Sequence, residues 1–422
     1  MPTLKPAKYA DEHIAAAVIG KYGEALAESL STRNFDRGHC NDLYNSCSIP
    51  HTTAENLIKR KLFHQKPWGD IAAAHFRAVC IYHSNKESPD WVEIFDAQRS
   101  LVSTFNDWFR SENTAWSLPV LYEICRNLLF ISKQADNLLE SRGEKTGKLS
   151  EAARLLQVGF GLCCSDRSSS GESKKTGALF MASALFKTYF RLKSIALCKN
   201  VIRGVDNAGL LGGLSIPMGH WVTYRYYMGV LCFLQEDYDK AEEHLYFAFL
   251  NCHRNYPRHR ELILYFLIPL RLLKGKRPIK TYMERFGQLT EIYQPFIKAV
   301  QLGNIEMFDR HMLRVEKQLM KRGTYLIVER CRDACLCNLV KLMSRLKLGA
   351  HQIPLDSFKK IAYEVDEGET SAEDDSKLEE VECVLANLIA QDRLRGYIHH
   401  QAKMLVLSKL EAFPAQNSIK AC

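Results

Sequence analysis

Apolar residues recur three and four positions apart along almost the whole chain, the spacing of a helix face. Between Trp68 and Arg110 they fall at Ile71, Phe76, Val79, Val92, Phe95, Leu101, Phe105 and Phe109. The polar run Ser84 to Pro89 interrupts them, so two helices joined by that turn are expected. Leu118 to Leu139 and Leu149 to Leu162 continue the pattern up to a serine-rich stretch, Ser165 to Lys175, which reads as a boundary between helical layers.

Beyond that stretch Gly177 to Arg191 and Ile195 to Val205 form one helix pair, and Trp221 to Leu234 and Tyr238 to Cys252 another. In the second pair Gly229, Tyr238, Ala241, Leu245 and Ala248 stand at the offsets of a tetratricopeptide-like hairpin. Gly229 and Ala241 let two antiparallel helices approach, and Tyr238 and Leu245 fill the gap. Arg225 stands where a bulky aromatic would sit, so the repeat is degenerate. Ala299 to Ile305 reads as helix, glycine turn, helix, ending at Arg322-Gly323.

The last hundred residues change character. Ile327, Cys331, Ala334-Cys335, Leu339, Leu342 and Leu346 make one helical stripe. Leu355, Phe358 and Ile361 make a second beside Pro354, and Val381, Val384-Leu385 and Leu388-Ile389 a third. Arg395 to His399 and Met404 to Ser408 then alternate as two short strands around a polar turn. Three helices and a β-hairpin is the order of a winged helix. Between the second and third helices, Glu364 to Glu382 holds ten acidic residues and one lysine, and a solvated, mobile loop is expected there. Adjacent His399 and His400 are expected to face opposite sides of the hairpin.

Composition narrows the chemistry. The chain has 422 residues, 46% hydrophobic and 25% charged, with a formal charge of +9. No apolar run approaches the roughly 18 residues of a membrane-crossing helix. Met1 to Ala17 lacks the apolar core and cleavage site of a secretory leader. An intracellular protein is expected, its fourteen cysteines reduced and packed as small hydrophobes. Phosphate-binding glycine loops, zinc-protease helices and nucleophile elbows are missing from the sequence. Cys331, Cys335 and Cys337 lack a CxxC pair and point different ways on one helix. Glu242-Glu243 reads as a solvated helix face. The expectation is a protein that is not an enzyme, with no metal and no cofactor.

Resolved along the chain, the charge is uneven. Arg254 to Lys347 carries twenty Lys or Arg and eight Asp or Glu, a net of +12, which leaves −3 for the rest. Within it Arg271, Lys274, Lys276, Arg277 and Lys280 crowd one turn, a candidate site for phosphate or an acidic partner. Lys321, Arg322 and Arg330 follow, and the hairpin region adds Arg393, Arg395, His400, Lys403 and Lys409 as candidates for nucleic acid.

Particular segments carry a family likeness. Leu185 to Leu192 with Leu197-Cys198-Lys199, Tyr224 to Gly229, Ala241 to Leu245, Phe247 to Phe249, Cys252-His253, Glu382 to Ile389 and Gly396 to His400 are similar to PCI-domain proteins of mRNA export and transcription. The matching segments span roughly residues 118 to 413. The resemblance implies a mainly α fold, a right-handed TPR-like solenoid followed by a C-terminal winged-helix PCI domain. The expected division is an N-terminal helical region at 1–165, repeats at 166–322, the winged helix at 323–413 and a tail at 414–422.

The subfamily, that of the TREX-two export complex and the signalosome subunit-twelve-like proteins, implies a nuclear scaffold subunit, with the cytoplasm as a second location. A larger PCI scaffold protein and a small acidic Sem-one-type protein are its implied partners, and paired winged helices bind RNA or DNA. The alternative is a protein-interaction subunit of an assembly like the COP-nine signalosome or the proteasome lid, without nucleic acid. The long acidic stretch departs from the family pattern.

Overall fold

The computed structural model describes residues 9–32, 51–168, 173–210, 215–276, 285–346, 351–362 and 371–414. The chain divides into two compact units, Met1–Tyr227 and Met228–Cys422.

In the first unit a π turn at Tyr9–Ala15 leads into Ala16–Ile19, followed by α1 (Gly23–Ser29), α2 (His51–Lys61), α3 (Trp68–Ser84), α4 (Trp91–Ser111), α5 (Leu118–Ser141), α6 (Lys148–Cys164), α7 (Ala178–Arg191) and α8 (Cys198–Asn207). The helices expected around Ser84 to Pro89 are α3 and α4. Their stripe residues Phe76, Val79, Phe95, Phe105 and Phe109 have no solvent exposure. Helix starts are satisfied by side chains that water would otherwise replace. Asp90 accepts from the amides of Val92 and Glu93 at the start of α4. Asp136, reaching across from α5, accepts from the amides of Gly147, Lys148 and Leu149 and so caps α6.

The second unit begins within α9 (Met218–Leu234) and continues through α10 (Tyr238–Asn251), α11 (Pro257–Leu273), α12 (Gly287–Leu302), α13 (Ile305–Arg322) and α14 (Tyr325–Leu346). The close approach expected at Gly229 is present: a Cβ there would lie 2.6 Å from Leu245 Cγ and 3.2 Å from the Leu245 amide nitrogen. Gly229→Ala is expected to destabilise this unit by about 1–2 kcal/mol, because overpacking outweighs the gain in helix propensity. Urea unfolding measures this, and an unchanged midpoint would mean that α9 and α10 separate freely. Gly303 and Gly323 end α12 and α13 in left-handed conformation, with φ of +65° and +73°. Asn304 then starts α13 by accepting from the Met307 amide at 2.7 Å.

The winged helix consists of α14, β1 (Gln352–Pro354), α15 (Leu355–Ala362), α16 (Ser371–Ala390), β2 (Gly396–His399) and β3 (Met404–Leu407). The strands form an antiparallel sheet of order β1-β3-β2, with Ile353 and Ile398 both opposite Leu405. Strand β1 escapes the sequence reading because three residues ending in proline show no alternation.

The acidic stretch is a correction. Residues 363–370 lie outside the described residues, but 371–382 are helical rather than loop, and α16 starts ten residues before Val381. Leu378 is buried and extends the stripe of Val381, Leu385 and Leu388 back by a turn. Among the described residues, no helix is long and apolar enough to cross a membrane.

Candidate nucleic-acid interface

The turn after α11 draws Lys274 and Arg271 inward and leaves Lys276 half-exposed. The Lys274 side chain is only 5% exposed and donates to Asp239 Oδ1 at 2.5 Å and Glu242 Oε2 at 2.8 Å, both on α10. Lys276 donates to Glu242 Oε1 at 3.3 Å, and Arg271 Nε lies 3.7 Å from the same oxygen. The Arg271 guanidinium also sits over the Tyr246 ring. Arg277 and Lys280 lie outside the described residues.

Glu242 is therefore no solvated helix face: its side chain is 12% exposed and neutralises the turn from within. Burial pushes its carboxyl up, but hydrogen bonds and charge from Lys274 and Lys276 win and hold it below the usual glutamate range. Burial likewise pulls Lys274 down, and its bonds to Asp239 and Glu242 hold it above the usual lysine value. The charge excess of this turn is legible in sequence, but its neutralisation by a carboxylate 32 residues away is not.

The wing also sorts its candidates. Arg393 is buried at 3% exposure, its Nε donating to Gln391 Oε1 at 3.0 Å, so it is no phosphate contact. It sits in the tight turn after α16, where its carbonyl accepts the Cys337 thiol of α14. Arg395 is half-exposed and donates to Asp392 and Glu411. His400 and its neighbour His399 are both exposed, so neither reaches the core. His399 Nδ1 accepts from the Ala402 amide in the turn. His400, just past the strand, has Nδ1 2.8 Å from Glu382 Oε2 of α16. Lys403, at φ +50° in the hairpin turn, and Lys409, after β3, are exposed.

At the end of α13, Lys321 and Arg322 are exposed, and Arg322 lies over the Tyr265 ring at 4.2 Å. Arg330 donates to Glu236 at 2.8 Å and is thereby partly neutralised. Arg322 shares a cavity with Arg258 and Arg285, which counted in sequence only as members of a basic run. Cys331, Cys335 and Cys337 do diverge: their thiols donate to the carbonyls of Ile327, Ala299 and Arg393.

Helical hairpins followed by a winged helix with an exposed basic wing define a PCI-type protein. The PCI domain profile matches residues 312–409, from within α13 through β3. The chain is 34% identical over 401 residues to the Protein CSN12 homolog of Mycosarcoma maydis, covering 84% of this chain and 86% of that protein. It is 31% identical over 412 residues to PCI domain-containing protein 2 of Danio rerio, with 97% of each covered. The corresponding homolog of Drosophila melanogaster is 30% identical over 398 residues, covering 93% of this chain and 94% of that one. The chain belongs to the PCI-domain family.

Proposed function

We propose that this chain is a non-enzymatic scaffold subunit of a nuclear complex that couples transcription to mRNA processing and export, binding RNA or DNA without sequence preference. The observation that carries the reading is the wing: Lys403 in the hairpin turn and Lys409 after β3 are both exposed, in the same hairpin region as Arg395 and His400. Exposed lysines on a hairpin meet phosphates as point charges and read no bases. A larger PCI scaffold protein would complete the platform with its own winged helix.

A small acidic subunit has a suitable counterpart on α13. Leu313 and Met320 are 77% and 55% exposed, and Arg314 and Lys317 between them are exposed as well. That alternation suits a disordered acidic peptide with aromatic side chains.

The test is binding of a duplex DNA oligonucleotide to the full chain across salt. Lys403→Glu combined with Lys409→Glu is expected to weaken binding about tenfold at low salt. The slope of log affinity against log salt should flatten by about 2, near 0.9 for each lost phosphate contact. Affinity and slope unchanged by this pair would sink the wing reading. Recovery of the tagged chain with signalosome subunits and without an mRNA-export partner would favour the protein-interaction alternative.

A further inference from the structure

A cavity of about 550 Å³ opens among α11, the start of α12 and the end of α13. Arg258, Arg285 and Arg322 line it from three separate segments, and among the described residues Glu261 is its one acidic group. Several other arginines of this unit meet carboxylates: Arg332 grips Asp309 through two nitrogens, at 2.9 and 3.0 Å, and Arg330 and Arg395 are likewise paired. Among the described residues, Arg258, Arg285 and Arg322 make no ion pair with any carboxylate. Among the described residues, three guanidinium groups against one glutamate give the cavity a positive lining. Cations gathered around one concavity raise the local concentration of anions there.

The cavity is also organised. Arg322 is fixed over the Tyr265 ring, and the Tyr265 carbonyl accepts the buried hydroxyl of Tyr293 at 2.8 Å, which ties α12 to α11. Gly287 opens α12 on the cavity wall, and its N-cap, Phe286, supplies no side-chain acceptor, so the first amides add to the positive field. Phe286 and Leu262 give the same wall an apolar, partly exposed surface. Arginines that meet phosphate beside an aromatic face are the recurring means of holding an unpaired strand, because the base of a single strand is free to stack. A duplex hides its bases and would leave that wall unused.

We propose that this cavity is a second nucleic-acid contact, distinct from the wing, in which Arg258, Arg285 and Arg322 hold the phosphates of single-stranded RNA while a base packs on Phe286. The proposal rests on the nucleic-acid reading above but on different residues.

The test is fluorescence anisotropy of a labelled 15-nucleotide oligouridylate with the full chain between 50 and 200 mM salt. Arg258→Ala with Arg285→Ala is expected to weaken binding about tenfold at the lower salt. The salt slope should flatten by about 1.4, near 0.7 per single-strand phosphate contact. Because both side chains are exposed, the thermal midpoint should not move. Phe286→Leu, which keeps an apolar side chain at the helix start, should weaken the oligonucleotide several-fold with no change in slope.

Normal affinity and slope in the Arg258/Arg285 variant, with a loss in the Lys403/Lys409 variant, would overturn the cavity and leave the wing reading standing. The reverse pattern would sustain the cavity and remove the wing. Tighter binding of a phosphoserine peptide than of the oligonucleotide, abolished by the same two arginine changes, would overturn RNA as the occupant.

Discussion

Lys274→Ala is expected to lower the stability of the unit holding α10 and α11 by about 3–5 kcal/mol, the usual result of leaving one member of a buried ion pair uncompensated. Lys274 is almost wholly covered and Glu242 nearly so, and the two share a 2.8 Å bond. With the ammonium gone, Glu242 keeps, among the described residues, Lys276 at 3.3 Å and the looser Arg271. Adding Glu242→Gln should return much of the loss, because the remaining carboxamide carries no charge to bury. Urea unfolding of the two single variants and the double measures the coupling. A loss below about 1 kcal/mol for Lys274→Ala would place the pair among ordinary surface bridges.

The same pair sets a pH dependence. The Glu242 carboxyl is held below its ordinary value in the folded chain, so its contribution is present above that ordinary value, 4.5, and disappears as pH falls through the lower folded value. Lys274 is held above its ordinary 10.5, so its contribution is complete below that value and is lost as pH rises through the higher folded one. Stability measured from pH 7 down to 3 should therefore fall less steeply in the Glu242→Gln variant than in the wild type.

The second large effect is expected at Gly303. An alanine there would adopt a left-handed conformation, costing about 1–2 kcal/mol. Its Cβ would lie 2.8 Å from the Cα and the amide nitrogen of Leu339 on α14. Those are backbone atoms, which no rotamer change moves aside, so overpacking adds about 1–3 kcal/mol. Gly323 provides the control: its φ is similar, but nothing lies within 4 Å of the position a Cβ would take. Gly323→Ala should cost only the left-handed strain, and the difference between the two variants isolates the packing of α12 on α14. Equal losses would mean that α14, the first helix of the winged domain, yields to the added methyl.

Much of the architecture is legible in the sequence because its signals are local. The helices α3 to α10, the glycine ends of α12 and α13 and the β2–β3 hairpin all follow from spacing, capping residues and turn chemistry within a few positions. Errors arise where an element depends on a distant partner. Strand β1 exists only because β3 pairs with it, and α16 reaches back before Val381 where Leu378 is buried. Nothing local distinguished that segment from a solvated acidic loop.

The candidate site divides along the same line. Local pattern along the chain is enough for the family, the helical repeats ending in a winged helix, and the concentration of positive charge between Arg254 and Lys347. Tertiary structure alone decided which of those charges are available: it buried Arg393, matched Lys274 to Glu242, paired Arg395 with Asp392, and left Arg258, Arg285 and Arg322 around one cavity. The physical reason is range. Helix periodicity is set by neighbours three or four residues away, whereas the field at a side chain is set by whichever charges the fold brings within a few ångströms.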